Sequence, residues 1–253
     1  MFVCPGLTSD SQTGYVRNIV ISAKERGYDV IVINYRGLGD AKLETPRLYS
    51  CYSYQDVLEP MTAIYDKFCK NQNRKAFAVG CSMGANILAN LVGHQGDDCF
   101  LEAACLVQAP MKMWEIETFI QNSACGLYNS HLGKNLNSVI TRHQSVLNDH
   151  FKANINIDIP EYVRTVKPSI ITFDEKITCP CFGYASRAEY YDKASCCHRI
   201  PSIKIPCFFM NALDDPVLGE KSIDYKSIRQ NPNTILGTTR HGGHLGYHSQ
   251  LFS

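Results

Sequence analysis

The sequence predicts an α/β fold: a mostly parallel sheet with helices on both faces and a long insertion near the middle of the chain. Three observations predict it. Strand-sized apolar runs alternate with amphipathic stretches of helical spacing. The strands are apolar almost throughout, which requires burial on both faces. The alternation stops at Pro110 and resumes after about Ile200.

Met1–Cys4 reads as a short buried strand running into a loop, Pro5–Thr13. Tyr15–Arg26 places Val16, Ile19, Val20 and Ala23 at helical spacing, with Gly27 as a stop. Asp29–Asn34 is a β-branched run and reads as a strand, followed by a long loop, Tyr35–Ser53. A helix is expected through Tyr54–Cys69, a strand at Ala76–Gly80, a helix at Gly84–Gly93 and a strand at Ala103–Gln108. From Pro110 to about Ile200, helical patches and polar runs are too irregular for further βα units, and are expected to fold over the sheet. Strands follow at Ile205–Asn211 and Thr234–Thr239, with a helix near Ser222–Gln230 between them.

The balance of 25 basic and 24 acidic residues, with no long single-sign run, gives no reason to expect nucleic acid or an anionic membrane as partner. No apolar stretch approaches the ~20 residues of a membrane span, and the first residues do not read as a signal peptide. Twelve cysteines without a secretory signal are expected to be reduced thiols. The expected location is therefore cytoplasmic or membrane-associated. Cys179-Pro180-Cys181 and Cys196-Cys197-His198 match no common zinc spacing, and no metal is expected.

Gly80-Cys81-Ser82-Met83-Gly84 falls where a strand meets a helix, the setting of a nucleophile elbow. So tight a turn needs tiny residues two before and two after the nucleophile. Ser82 has glycines at both places, whereas Cys81 would have Val79 and Met83. An acid and a histidine should follow on later strand ends. Asp214-Asp215-Pro216-Val217 and His241-Gly242-Gly243-His244 stand there. Asp215 is favoured over Asp214 because a proline turns the chain directly after it. His244 is favoured because two glycines let its loop approach the elbow, while His241 and His248 read as surface residues. The amides of Met83 and of Leu7, in Pro5-Gly6-Leu7-Thr8, are the expected oxyanion donors.

These motifs, with Asn34-Tyr35-Arg36-Gly37, Thr45-Pro46-Arg47-Leu48-Tyr49, Phe173-Asp174-Glu175, Phe182-Gly183-Tyr184, Tyr190-Tyr191 and Gly242-Gly243-His244-Leu245-Gly246-Tyr247, resemble the AB hydrolase 4 family of the α/β-hydrolase superfamily. The likeness runs over nearly the whole chain. It implies an α/β-hydrolase fold over residues 1–253, with a lid insertion at approximately 110–200. It also implies a triad of Ser82, Asp215 and His244, and hydrolysis of short- or medium-chain acyl esters without a cofactor. The expected partner is a small acyl ester or lipid. A phospholipase or an acyl transferase to an alcohol would use the same triad, and an inactive scaffold is the third alternative. The family's usual sheet has two strands ahead of the one that leads into the oxyanion loop. The resemblance implies that these are missing here, which would leave Asp29–Asn34 as a bare edge and the chain as a fragment of a fuller product. Asp174 is expected to be a structural carboxylate capping a lid helix. Trp114, Met111 and Met113 are expected in lid-to-sheet packing, and Arg36 and Arg47 in structural ion pairs.

Overall fold

The computed structural model describes residues 1–40 and 42–247. His248 lies outside them. Among the described residues six strands form one parallel sheet in the order β2-β1-β3-β4-β5-β6. They are β1 (Phe2–Cys4), β2 (Ile31–Val32), β3 (Phe77–Cys81), β4 (Ala103–Val107), β5 (Cys207–Ala212) and β6 (Thr234–Thr239). Between them run α1 (Gly14–Glu25), α2 (Tyr54–Phe68) and α3 (Met83–Gln95), with α11 (Tyr225–Gln230) joining β5 to β6.

Parallel strands place their C-terminal ends on one edge of the sheet, and the register shows which loops meet there. Cys4 lies opposite Gly80, Cys81 opposite Val107, and Ala212 opposite Thr239. The loops after β1, β3, β4, β5 and β6 therefore open on the same side, where ligands bind in open α/β sheets. Met83 through Gly93 of α3 are all buried, as expected of a helix that is apolar on every side.

The expected strand at Asp29–Asn34 is shortened to Ile31–Val32 at one edge of the sheet. Ile33 still donates its N–H to Val3. Asn34 leaves the ladder because its side chain is engaged with Ser11, from whose N–H it accepts a hydrogen bond at 2.9 Å.

The segment between β4 and β5 is helical where the sequence pattern is irregular. It comprises α4 (Met113–Asn122), α5 (Leu127–Arg142), α6 (Gln144–Ile155), α7 (Ile159–Thr165), α8 (Ile170–Phe173), α9 (Cys179–Phe182) and α10 (Arg187–Ala194). Three of these start on side-chain caps: Asp158 accepts from Glu161 N–H, Ser169 from Thr172 N–H and Ser186 from Glu189 N–H. Met113, Ile120, Ile171, Tyr190, Tyr191 and Leu218 form a second apolar cluster beneath them. A π-helical turn, Asp174–Thr178, joins α8 to α9 without a break. Asp174 thus lies inside a continuous helix whose cap is Ser169, and the expectation that it caps a helix is corrected.

Candidate active site

Ser82 sits between β3 and α3 with φ 52° and ψ −121°, a conformation that L-residues rarely adopt. The flanking glycines make that turn feasible. A Cβ on Gly80 would lie 2.6 Å from Ala85 Cα, and one on Gly84 would run into the carbonyl oxygens of Cys4 and Pro5. Cys81 is turned inward and buried, and burial pushes its thiol up to about 12. It is therefore a poor thiolate source.

The structure brings Ser82, His244 and Asp215 together. Ser82 Oγ is 2.9 Å from His244 Nε2, and His244 Nδ1 is 2.7 Å from Asp215 Oδ2. The Asp215 side chain is buried, and its other oxygen accepts the Val217 and Leu218 N–H groups at 2.8 and 3.0 Å. Oδ2 is thereby left to the imidazole. With Nδ1 donating to Asp215, Nε2 is free to accept from the Ser82 hydroxyl. Asp214 points elsewhere: its Oδ1 accepts Gly243 N–H at 2.8 Å and its Oδ2 lies 3.3 Å from His241 Nδ1. The Gly243 hydrogen bond is the chief cause of the lowered pKa of Asp214.

Gln108 holds the same loop from the other side. This fully buried residue, at φ 51° just beyond β4, donates to Gly243 O at 2.5 Å and accepts Ala212 N–H at 3.1 Å. The residue next to His244 is thus held through both its amide and its carbonyl. Gln108 carried no motif in the sequence. Its position at a strand end was the available signal.

Ser82, His244, Leu7 and Met83 open into one cavity of about 500 Å³. Met113, Ile116, Ile120 and Leu218 make much of its far wall. Asp174 and Glu117 are the acidic groups in that wall. Asp174 accepts from Thr178 Oγ1 at 2.7 Å and Tyr191 Oη at 2.9 Å, yet burial still pushes its carboxyl up to about 6. Of the other expected packing residues, Met111 is fully buried, whereas Trp114 is exposed, its ring against His198 and not between lid and sheet. Arg36 makes the expected ion pair, with two hydrogen bonds to Asp56. Arg47 instead lies over the Phe182 ring. All twelve cysteines are free. Among the described residues no group of three or more His, Cys, Asp or Glu is placed to hold a metal ion, and no helix is long and apolar enough to cross a membrane.

The family described as serine aminopeptidase, S33 (Hydrolase_4) matches residues 1–231 of the chain. The chain belongs to that family. The chain is also similar to three curated proteins. A Saccharomyces cerevisiae monoacylglycerol lipase is 33% identical over 252 residues, 98% of this chain and 54% of the relative. The Bos taurus phospholipase ABHD3 is 30% identical, covering 98% and 58%. The Saccharomyces cerevisiae medium-chain fatty acid ethyl ester synthase/esterase 2 is 30% identical, covering 96% and 56%. The chain thus spans just over half the length of these relatives. Among solved structures, the Pyrococcus furiosus esterase Pf2001 superposes with a TM-score of 0.60 at 14% identity, over 97% of this chain and 74% of that one. At that identity the likeness speaks for the α/β-hydrolase fold, which the parallel sheet shares.

Proposed function

We propose that this chain is a serine hydrolase that cleaves carboxylic esters of short- to medium-chain acyl groups, with a lipase-like substrate range. The observation that carries the proposal is the hydrogen-bond relay Ser82–His244–Asp215 opening into an apolar cavity. In this reading Ser82 Oγ attacks the acyl carbonyl and passes its proton to His244 Nε2, while Asp215 steadies the imidazolium. The Leu7 and Met83 amides, the latter at the N-terminus of α3, stabilise the oxyanion. Collapse expels the alcohol, which takes the proton from His244. Water, activated by the same imidazole, then releases the acid from the acyl-enzyme. The helical insertion is the lid, its apolar wall taking the acyl chain.

Fluorophosphonate labelling with hydrolysis of p-nitrophenyl esters tests the proposal. Ser82→Ala should abolish both, and Cys81→Ala should keep most activity. Labelling that survives Ser82→Ala but is lost in Cys81→Ala would falsify the assignment of the nucleophile. Similarity to the ethyl ester synthase/esterase favours a second reading, acyl transfer to an alcohol. Product analysis with and without ethanol separates the two: an ester formed at the expense of free acid marks transfer.

A further inference from the structure

The loop after β1 carries more hydroxyl groups than its short length explains. Tyr35 Oη donates to Pro5 O at 2.9 Å, Gly6 N–H donates to Tyr15 Oη at 2.7 Å, and Thr8 N–H donates to Tyr49 Oη at 3.1 Å. Gly6 O accepts Ser9 N–H at 3.1 Å. Among the described residues, Leu7 N–H has no acceptor, and Leu7 lines the same cavity as Ser82. Buried backbone amides in folded proteins are nearly always paired, with protein groups or with water. An unpaired one between two that tyrosines engage is left over for something that enters the cavity.

The three hydroxyls reach the loop from three parts of the chain. Tyr15 lies in the first turn of α1, Tyr35 follows β2, and Tyr49 stands in the loop that leads to α2. Tyr35 and Tyr49 are buried and stacked, with ring centroids 5.3 Å apart. The Arg36–Asp56 pair ties the Tyr35 segment to α2, and Asn34 holds Ser11. Thr8 has φ 57°, an uncommon conformation for a β-branched residue, and Tyr49 holds its amide there. A Cβ on Gly6 would lie 3.2 Å from Tyr15 Oη and 3.3 Å from Ser82 Cβ, so the loop is pressed between the phenol and the elbow.

We infer that Tyr15, Tyr35 and Tyr49 are positioning residues for oxyanion stabilisation, a frame that aims the Leu7 amide at the oxygen of the tetrahedral intermediate. The inference rests on the hydrolase reading proposed above. An oxyanion donor acts only within hydrogen-bond distance of where charge develops, and it works best when it need not reorganise. The frame supplies that rigidity. It also gives a physical reason for two tyrosine motifs outside the triad, Asn34-Tyr35-Arg36-Gly37 and Thr45-Pro46-Arg47-Leu48-Tyr49.

Tyr15→Phe, Tyr35→Phe and Tyr49→Phe each delete one oxygen, and Tyr225→Phe on α11 is the control. Deleting an oxyanion donor costs about 10²–10³-fold in kcat. Loosening one should cost less, about 10–100-fold, with KM within about twofold. A trifluoromethyl ketone analogue adds to Ser82 and forms an oxyanion, so its affinity should fall in step with kcat/KM. The corresponding ether, which forms none, should bind as before. If Tyr35→Phe fails to fold, the other two carry the test. Wild-type kcat in folded Tyr15→Phe and Tyr49→Phe overturns the inference, as does equal loss of ketone and ether affinity. A wild-type chain inert to fluorophosphonate and esters would remove the hydrolase reading and this inference with it, whereas an active wild type with unaffected variants removes this inference alone.

Discussion

Asp214 and Asp215 are neighbours in sequence, but one faces the His244 imidazole and the other the amide of Gly243. Asp215→Asn should therefore lower kcat by about 10⁴-fold, as when a triad histidine loses its orienting carboxylate. Asp214→Asn should be much milder, since it weakens one of two holds on Gly243, and kinetics on the two purified variants check the order. Asp174 makes a different prediction. Its carboxyl titrates near 6 when folded against an ordinary 3.8, so between about pH 4 and 6 the folded state holds a proton that the unfolded state has lost. Stability contributed at this site falls as pH rises through that window. Asp174→Asn removes the titrating group, so its stability should not fall across this window as that of the wild type does. Melting temperatures of both proteins from pH 4 to 7 test this, and a constant difference would overturn it. Ser82, Asp215 and His244 were legible because tight turns leave marks in sequence: glycines about Ser82, a proline after Asp215, glycines before His244. Gln108, Tyr15 and Asp174 were not legible as parts of the site. Gln108 pairs with Gly243, 135 residues on, while Tyr15 pairs with Gly6 and Asp174 with Tyr191 at separations of 9 and 17, spacings that no helical or strand pattern records.

At the scale of elements, the parallel sheet and the place of the insertion followed from alternation and strand hydrophobicity, whereas strand lengths and the helices inside the insertion did not. β2 kept two residues of an expected six because its partner β1 spans only Phe2–Cys4 and Asn34 turns to Ser11, neither of which a β-branched run announces. The insertion read as irregular since its helices are mostly short; α7, α8 and α9 have seven, four and four residues. Hydrophobic periodicity needs a window of about 11 residues or more to register. The caps at Asp158, Ser169 and Ser186 were the better signal. The junction of β1, β3 and α3 yields its own prediction. Gly84 packs directly on the carbonyls of Cys4 and Pro5, and both are backbone atoms that no rotamer change can move aside. Gly84→Ala should cost about 3 kcal/mol or more, near the upper end of overpacking effects. Thermal melts of any soluble fraction measure it, and a melting temperature equal to wild type would mean that β1 and α3 can part without loss.

At the scale of the whole molecule, the sheet edge supplies the reactive groups and the helical insertion supplies the wall that faces them. The cavity between them, about 500 Å³, is moderate for a small-molecule site. An acyl chain bound there with its carbonyl at Ser82 must extend along Met113, Ile116 and Ile120 of α4 and Leu218 beyond β5. Each added methylene gains about 0.8 kcal/mol while it is being buried, so kcat/KM should climb with chain length until the cavity is full and then level or fall. The proposed short- to medium-chain range requires that turnover before long-chain esters. Ile120→Trp should shift it to shorter chains by filling the wall, because Ile120 is fully buried and belongs to the cluster under the helices. The variant should keep butyrate hydrolysis within a few-fold of wild type and lose octanoate hydrolysis by about 10–100-fold, since forced overpacking costs about 1–3 kcal/mol. Chain-length profiles of both proteins on p-nitrophenyl esters decide the matter. A wild-type profile still rising at palmitate would show that the acyl chain leaves this cavity for another path. An Ile120→Trp profile parallel to wild type would place the chain on a different wall.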